Sequence, residues 1–140
     1  MSVDPVPTPA CGRELRVVVV DDHPAGREGL TALLDTDPGL SVVGQATGET
    51  VVAVVQQRRP DVVLMDLAMP LVDGADATLA LACSGCNVPV LLLTGRPDPE
   101  RIRAALAAGA LGFLTKEINP DVLLAAVHAA GNGRWPPRDA

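Results

Sequence analysis

The sequence predicts an α/β domain in which a five-stranded parallel sheet is covered by helices on both faces. Three observations carry that expectation. Apolar runs such as Val17–Val20, Val62–Met65 and Val90–Leu93 lack the alternation of a half-exposed strand and suit strands buried on both faces. These runs alternate regularly with segments of helical spacing, the pattern of a parallel sheet with crossover helices. The runs also end on polar residues, placing Asp21, Asp22, Asp66, Thr94 and Lys116 at the carboxyl ends of strands.

Taken in order, "LRVVVVDDHP" (15–24) is a buried strand ending in two acids. "REGLTALLDT" (27–36) places Leu30, Leu33 and Leu34 at helical spacing and stops before Pro38. "SVVGQA" (41–46) is a short second strand. "GETVVAVVQQRRP" (48–60) is conflicted, because its four valines favour a strand. Its length, its polar end and Val51/Val55 at i,i+4 decide for a helix. Strand three spans 61–65, and "DGADATLALAC" (73–83) is an Ala- and Leu-rich helix. "VPVLLLTG" (88–95) is a buried strand closing on Thr94. "DPERIRAALAAGA" (98–110) starts with Asp98 as N-cap and Pro99 as first helical residue, and stops at Gly109. "LGFLTKE" (111–117) is the fifth strand, and "NPDVLLAAVHAAGNG" (119–133) repeats the Asn-cap, Pro-first, Gly-stop order. The natural order for such a chain is the flavodoxin-like 2-1-3-4-5, whose switch point lies between strands 1 and 3. The expected division is a flexible Pro-rich tail (1–14), one domain (15–133), and a tail or the start of a linker (134–140).

Bulk properties narrow the function. With one Phe, one Trp and no Tyr, the core must be Val, Leu and Ala. A net charge of −6 makes the chain as a whole a poor nucleic-acid binder. No apolar run approaches the ~18 residues of a membrane span. The start lacks the pattern of a signal peptide, and three cysteines cannot all pair with one another. The cytoplasm is the expected location.

At the switch point, Asp21, Asp22 and Asp66 would meet at the carboxyl edge of adjacent strands. Like charges in one crevice raise each other's pKa unless a cation joins them. Oxygen ligands with open positions suit Mg²⁺, which keeps waters and a phosphate in its shell. Lys116 and Thr94 would then offer a positive charge and a hydroxyl to phosphoryl oxygens, a site suited to carrying a phosphoryl group on a carboxylate. Each residue also has a plainer reading. Alone, Asp66 is a strand-end aspartate capping a loop, Asp21/Asp22 a solvated pair or helix N-cap, and Thr94 a capping hydroxyl. Phe113 is most simply a core or half-buried aromatic.

The stretches "VVVVDDHP", "PDVVLMDLAMPLVDG", "VLLLTG" and "AAGALGFLTKE" together resemble a response-regulator receiver domain of two-component signalling, of the NarL/LuxR type. The likeness covers residues 15–133. It implies a phosphorylation-dependent switch, not a turnover enzyme. Asp66 would be the phosphoacceptor, and Asp22 a direct Mg²⁺ ligand with Asp21 acting through water. The Ala68 carbonyl would add a metal contact, Lys116 would pair with Asp66, and Thr94 and Phe113 would be the switch residues. The implied partners are a sensor histidine kinase and a C-terminal helix-turn-helix domain in a longer protein, with a homodimer left open. The output surface would be residues ~98–131.

Departures and rivals stand beside this reading. The loop before Asp73-Gly74 is unusually apolar at Leu71-Val72. Ala68 cannot hydrogen-bond an attacking water, whereas Arg96 could reach a phosphoryl group. A haloacid-dehalogenase phosphatase would need an aspartate at position 68, which is Ala. A flavodoxin-type protein would want a Gly- and hydroxyl-rich loop after strand 1, where this chain has "DDHPAGR". A phosphorylation-independent interaction module with the same fold remains the alternative. Cys83 and Cys86 form a C-x-x-C that reads as two loop thiols, since it falls where a helix ends. His23 is expected to be a loop residue, His128 to lie on a polar or partner-facing helix edge, and Trp135 to anchor a linker.

Overall fold

The computed structural model describes residues 14–136. The expected N-terminal tail, apart from Glu14, and residues 137–140 lie outside them. The strands are β1 (Leu15–Val20), β2 (Leu40–Ala46), β3 (Val62–Asp66), β4 (Val90–Thr94) and β5 (Gly112–Thr115). The helices are α1 (Pro24–Asp35), α2 (Val51–Arg58), α3 (Gly74–Cys83), α4 (Pro99–Ala107) and α5 (Pro120–Gly131). All strand pairs are parallel, in the order β2-β1-β3-β4-β5. The expected fold is the observed one.

Local chemistry explains most boundaries. Asp98 accepts from Glu100 N at 3.1 Å, and Asn119 accepts from Asp121 N at 2.8 Å. Each thus supplies an acceptor to a helix start whose first N–H groups lack partners. Helix α1 begins three residues earlier than the sequence pattern suggests, because Pro24 takes the first helical position with its φ already set. Helix α2 forms despite its valines, with Val51 and Val55 buried on one face. It ends at Arg59, whose φ of 48° is left-handed and whose N–H returns to Val55 O. Burial of that valine face outweighs strand propensity, which spans only about 1 kcal/mol. The fifth strand ends at Thr115, so Lys116 follows the strand instead of closing it.

Two apolar layers sandwich the sheet, and the two-residue period of the strands sorts them. Val18, Val20, Val63, Met65 and Leu92 face the α2–α4 layer with Val55, Ala77, Leu81 and Ile102. Val17, Val19, Val62, Leu64, Leu91 and Leu93 face α1 and α5 with Leu34, Leu123 and Val127. Trp135 is half-buried against this second layer, and a Cβ added to Gly112 would lie 2.5 Å from its ring. Across the same side, His128 Nε2 lies 3.0 Å from Asp37 Oδ2. His128, expected on a polar or partner-facing edge, is part-exposed and ties α5 to the loop before β2.

Leu64 is fully buried in the middle of the sheet, so Leu64→Ala should cost about 2–5 kcal/mol. Leu71 is 75% exposed, and Leu71→Ala should change stability by no more than about 0.5 kcal/mol. Urea unfolding of both variants beside the parent checks the contrast.

Candidate functional site

Strand register builds the site. Val20 pairs with Met65, so the next residues, Asp21 and Asp66, lie side by side at the carboxyl edge. Both share the parity of Val17, Val19, Val62 and Leu64, so both aim toward the α1/α5 side of the sheet. Asp21 is 3% exposed and Asp66 4% exposed. Lys116 Nζ reaches Asp66 Oδ2 at 3.3 Å, and Ala68 N donates to Asp66 Oδ1 at 3.2 Å. One ligand atom each from Asp21, His23 and Asp66 lies within 4.8 Å of the other two.

Asp21 is fixed from several directions. Its Oδ1 accepts from His23 N at 2.8 Å and lies 3.4 Å from His23 Nδ1. Its backbone carbonyl accepts from Arg27 Nη1 at 2.7 Å. Its Oδ2 occupies the space above Gly26, where a Cβ would come within 2.4 Å. The residue at position 26 therefore decides whether this carboxylate can lie against α1.

Burial pushes the Asp66 carboxyl above its ordinary value of 3.8, and the Asp21 charge pushes it the same way. Lys116 and the Ala68 N–H oppose them without reversing the result. A cation placed among these oxygens would relieve both upward influences. The paired carboxylates of Asp21 and Asp66 have the hard-oxygen character that Mg²⁺ favours.

Not every expected site residue joins the cluster. Asp22 has the opposite parity to Asp21 and turns to the β2–α2 loop, where its Oδ1 accepts from Gly48 N at 3.2 Å. Thr94 is buried, and its hydroxyl donates to Arg96 O at 2.7 Å instead of facing Asp66. Phe113 is 39% exposed on β5, pointing outward and not inward behind Thr94. Arg96 is exposed and contributes its carbonyl, not its guanidinium, to this arrangement. His23, expected to be an inert loop residue, is the group that the structure adds, although its side chain is 75% exposed. Its place directly after the acidic pair was the available signal. Cys83 and Cys86 are free thiols at the end of α3 and in the turn beyond it.

Residues 17–128 match the response regulator receiver domain family, and the chain belongs to it. Among curated relatives, the transcriptional regulatory protein DegU of Brevibacillus brevis is 37% identical over 121 residues, 86% of this chain and 51% of DegU. The nitrate/nitrite response regulator protein NarP of Escherichia coli K12 is 37% identical over 119 residues, 84% of this chain and 55% of NarP. The chain thus spans about half the length of the curated relatives it matches. The solved signal receiver domain of the response regulator NarL from Mycobacterium tuberculosis superposes with a TM-score of 0.81 at 36% identity, covering 87% of this chain and 99% of that one. The chain is a receiver domain of the NarL/LuxR kind, a class of signalling switches and not of metabolic enzymes. No helix among the described residues is long and apolar enough to cross a membrane.

The raised Asp66 pKa has a signed consequence. The folded state holds this proton more tightly than the unfolded chain, so stability falls as pH rises from the unfolded value of 3.8 through the folded one. Asp66→Asn removes that loss. In metal-free buffer its Tm should exceed the parent's at pH 7, and the difference should shrink away as pH falls well below 3.8, where the carboxyl is protonated in both the folded and the unfolded chain. Thermal unfolding across this range checks it.

Proposed function

We propose that this domain is a phosphorylation-dependent switch that accepts a phosphoryl group on Asp66 from the phosphohistidine of a sensor histidine kinase. The observation that supports it best is the buried Asp66 carboxylate, 3.3 Å from Lys116 Nζ and clustered with Asp21. An Asp66 oxygen forms the new P–O bond as the P–N bond of the donor breaks, and the imidazole leaves with that electron pair. Asp21, Asp22, Asp66 and the Ala68 carbonyl would hold Mg²⁺, which when bound neutralises carboxylate and phosphoryl oxygens. Lys116 exchanges its contact with the free carboxylate for one with the phosphoryl oxygens. The domain promotes its own phosphorylation and dephosphorylation and turns over no separate substrate.

Thr94 and Phe113 are the proposed reporters of this event. In the structure the Thr94 hydroxyl is engaged by Arg96 O and Phe113 is outward, which suits a resting state. A phosphoryl group offers the Thr94 hydroxyl a charged acceptor in place of a neutral carbonyl, roughly doubling the strength of its hydrogen bond. Its rotation vacates space beside β5 for Phe113 and changes the face formed by α4, β5 and α5. Transcription would then be controlled in the cytoplasm through a DNA-binding helix-turn-helix domain outside this chain. The names of the relatives, transcriptional and response regulators of which the match covers 51% and 55%, support that reading.

Intact-mass spectrometry after incubation with acetyl phosphate tests the acceptor. The expected result is one added phosphoryl group with Mg²⁺, none without it, and none in Asp66→Asn. Beryllofluoride, followed by amide chemical shifts, covers an adduct too short-lived to weigh. Failure of both reagents would overturn the proposal in favour of a phosphorylation-independent interaction module. Separately, Mg²⁺ at 100 times its Kd should raise stability by about 2.7 kcal/mol, a gain that Asp66→Asn should diminish in thermal unfolding.

A further inference from the structure

We propose that Gly48 is a positioning residue for the metal edge of this site, acting through its N–H on Asp22 and through its missing side chain on the β3–α3 loop. This rests on the Mg²⁺ reading above. Gly48 is buried at the crossing of the loops that follow β1, β2 and β3. Its N–H donates to Asp22 Oδ1 at 3.2 Å, and among the described residues Asp22 makes no other side-chain hydrogen bond. One oxygen of Asp22 is thus tied to the backbone, and the other makes no hydrogen bond among the described residues.

The opposite side of Gly48 is in contact with the loop after Asp66. A Cβ added there would lie 2.4 Å from Val72 O, 3.0 Å from Val72 Cβ and 3.3 Å from Met69 Cε. The first two atoms belong to the backbone and its rigid branch point, so they could yield only by moving the loop. That loop also carries Ala68, whose N–H holds Asp66 and whose carbonyl is assigned to the metal. The apolar Val72, out of pattern in the sequence, is therefore the cover that closes on Gly48.

The turn that presents Gly48 is itself braced. Thr50 N donates to Thr47 O at 3.2 Å, and Thr47 N donates to Thr50 Oγ1 at 2.9 Å. The Thr50 hydroxyl thereby holds the peptide beside the Gly48 N–H. The loop carrying Asp22 and the loop that carries Ala68 directly after Asp66, both assigned metal oxygens above, meet at this one residue. Partners that orient metal-binding carboxylates in this way are worth about 10–100-fold in metal affinity.

Mg²⁺ titration of the whole chain, followed by amide chemical shifts without phosphodonor, tests the assignment. Gly48→Ala should raise the Mg²⁺ Kd about tenfold. Thr50→Ala, which loosens the turn without adding a clash, should raise it roughly threefold, while Thr50→Ser keeps the parent value. If Gly48→Ala does not fold, the Thr50 pair decides. Gly48→Ala and Thr50→Ala both within about twofold of a parent that binds Mg²⁺ would overturn the positioning role alone. A parent with no saturable Mg²⁺ response would overturn the metal reading and this inference with it.

Discussion

The carboxyl edge of the sheet is organised around one unfavourable fact: Asp66 carries its carboxylate at the buried end of the central strand, beside a second buried carboxylate, Asp21. Lys116 offsets part of the cost and does not cancel it, so the group sits above its ordinary pKa. A protein that needed only stability would place an apolar residue there. The sheet tolerates the pair because β3 is held on both sides, by β1 and β4, and its apolar faces are covered by two layers of helices. Stability spent at this edge is available to whatever cation or phosphoryl group binds there.

The loops around Asp66 differ in what they can do. Asp21 is held by His23 N and rests against Gly26, while Asp22 is tied to Gly48 N. These contacts use backbone groups and tight spaces, which limit how far the carboxylates can travel. Thr94 and Phe113 are held differently: the buried Thr94 makes one hydroxyl hydrogen bond to Arg96 O, and the Phe113 ring is part-exposed on β5. Under the function proposed above, fixed carboxylates beside a hydroxyl and a ring that can move suit a switch, in which a small charge change must bias a larger surface.

Much of this was legible beforehand. Strand order, the helix starts at Asp98 and Asn119, and the helical state of the valine-rich Val51–Arg58 segment follow from residue chemistry and period. The pairing of Lys116 with Asp66, implied by the receiver-domain resemblance, is present at 3.3 Å. Other features were not. The sequence shows Asp21 and Asp22 as equivalent neighbours, yet alternation sends one to Asp66 and the other to Gly48. The specific partner of His128, Asp37, lies 91 positions away. No local signal connects them.

The amino-acid sequence alone therefore determined the layered fold, the switch point and the set of polar residues gathered there. Each depends on period, capping or order along the chain, which act over a few residues. Tertiary structure alone decided which oxygens converge, which hydroxyl is already engaged and which glycine must stay bare. Those outcomes depend on strand register and on backbone from distant loops meeting within a few ångströms. The Gly48 contacts with Asp22 and Val72 are of that kind: two loops distant in sequence reach the same residue, and no pattern within either one announces it.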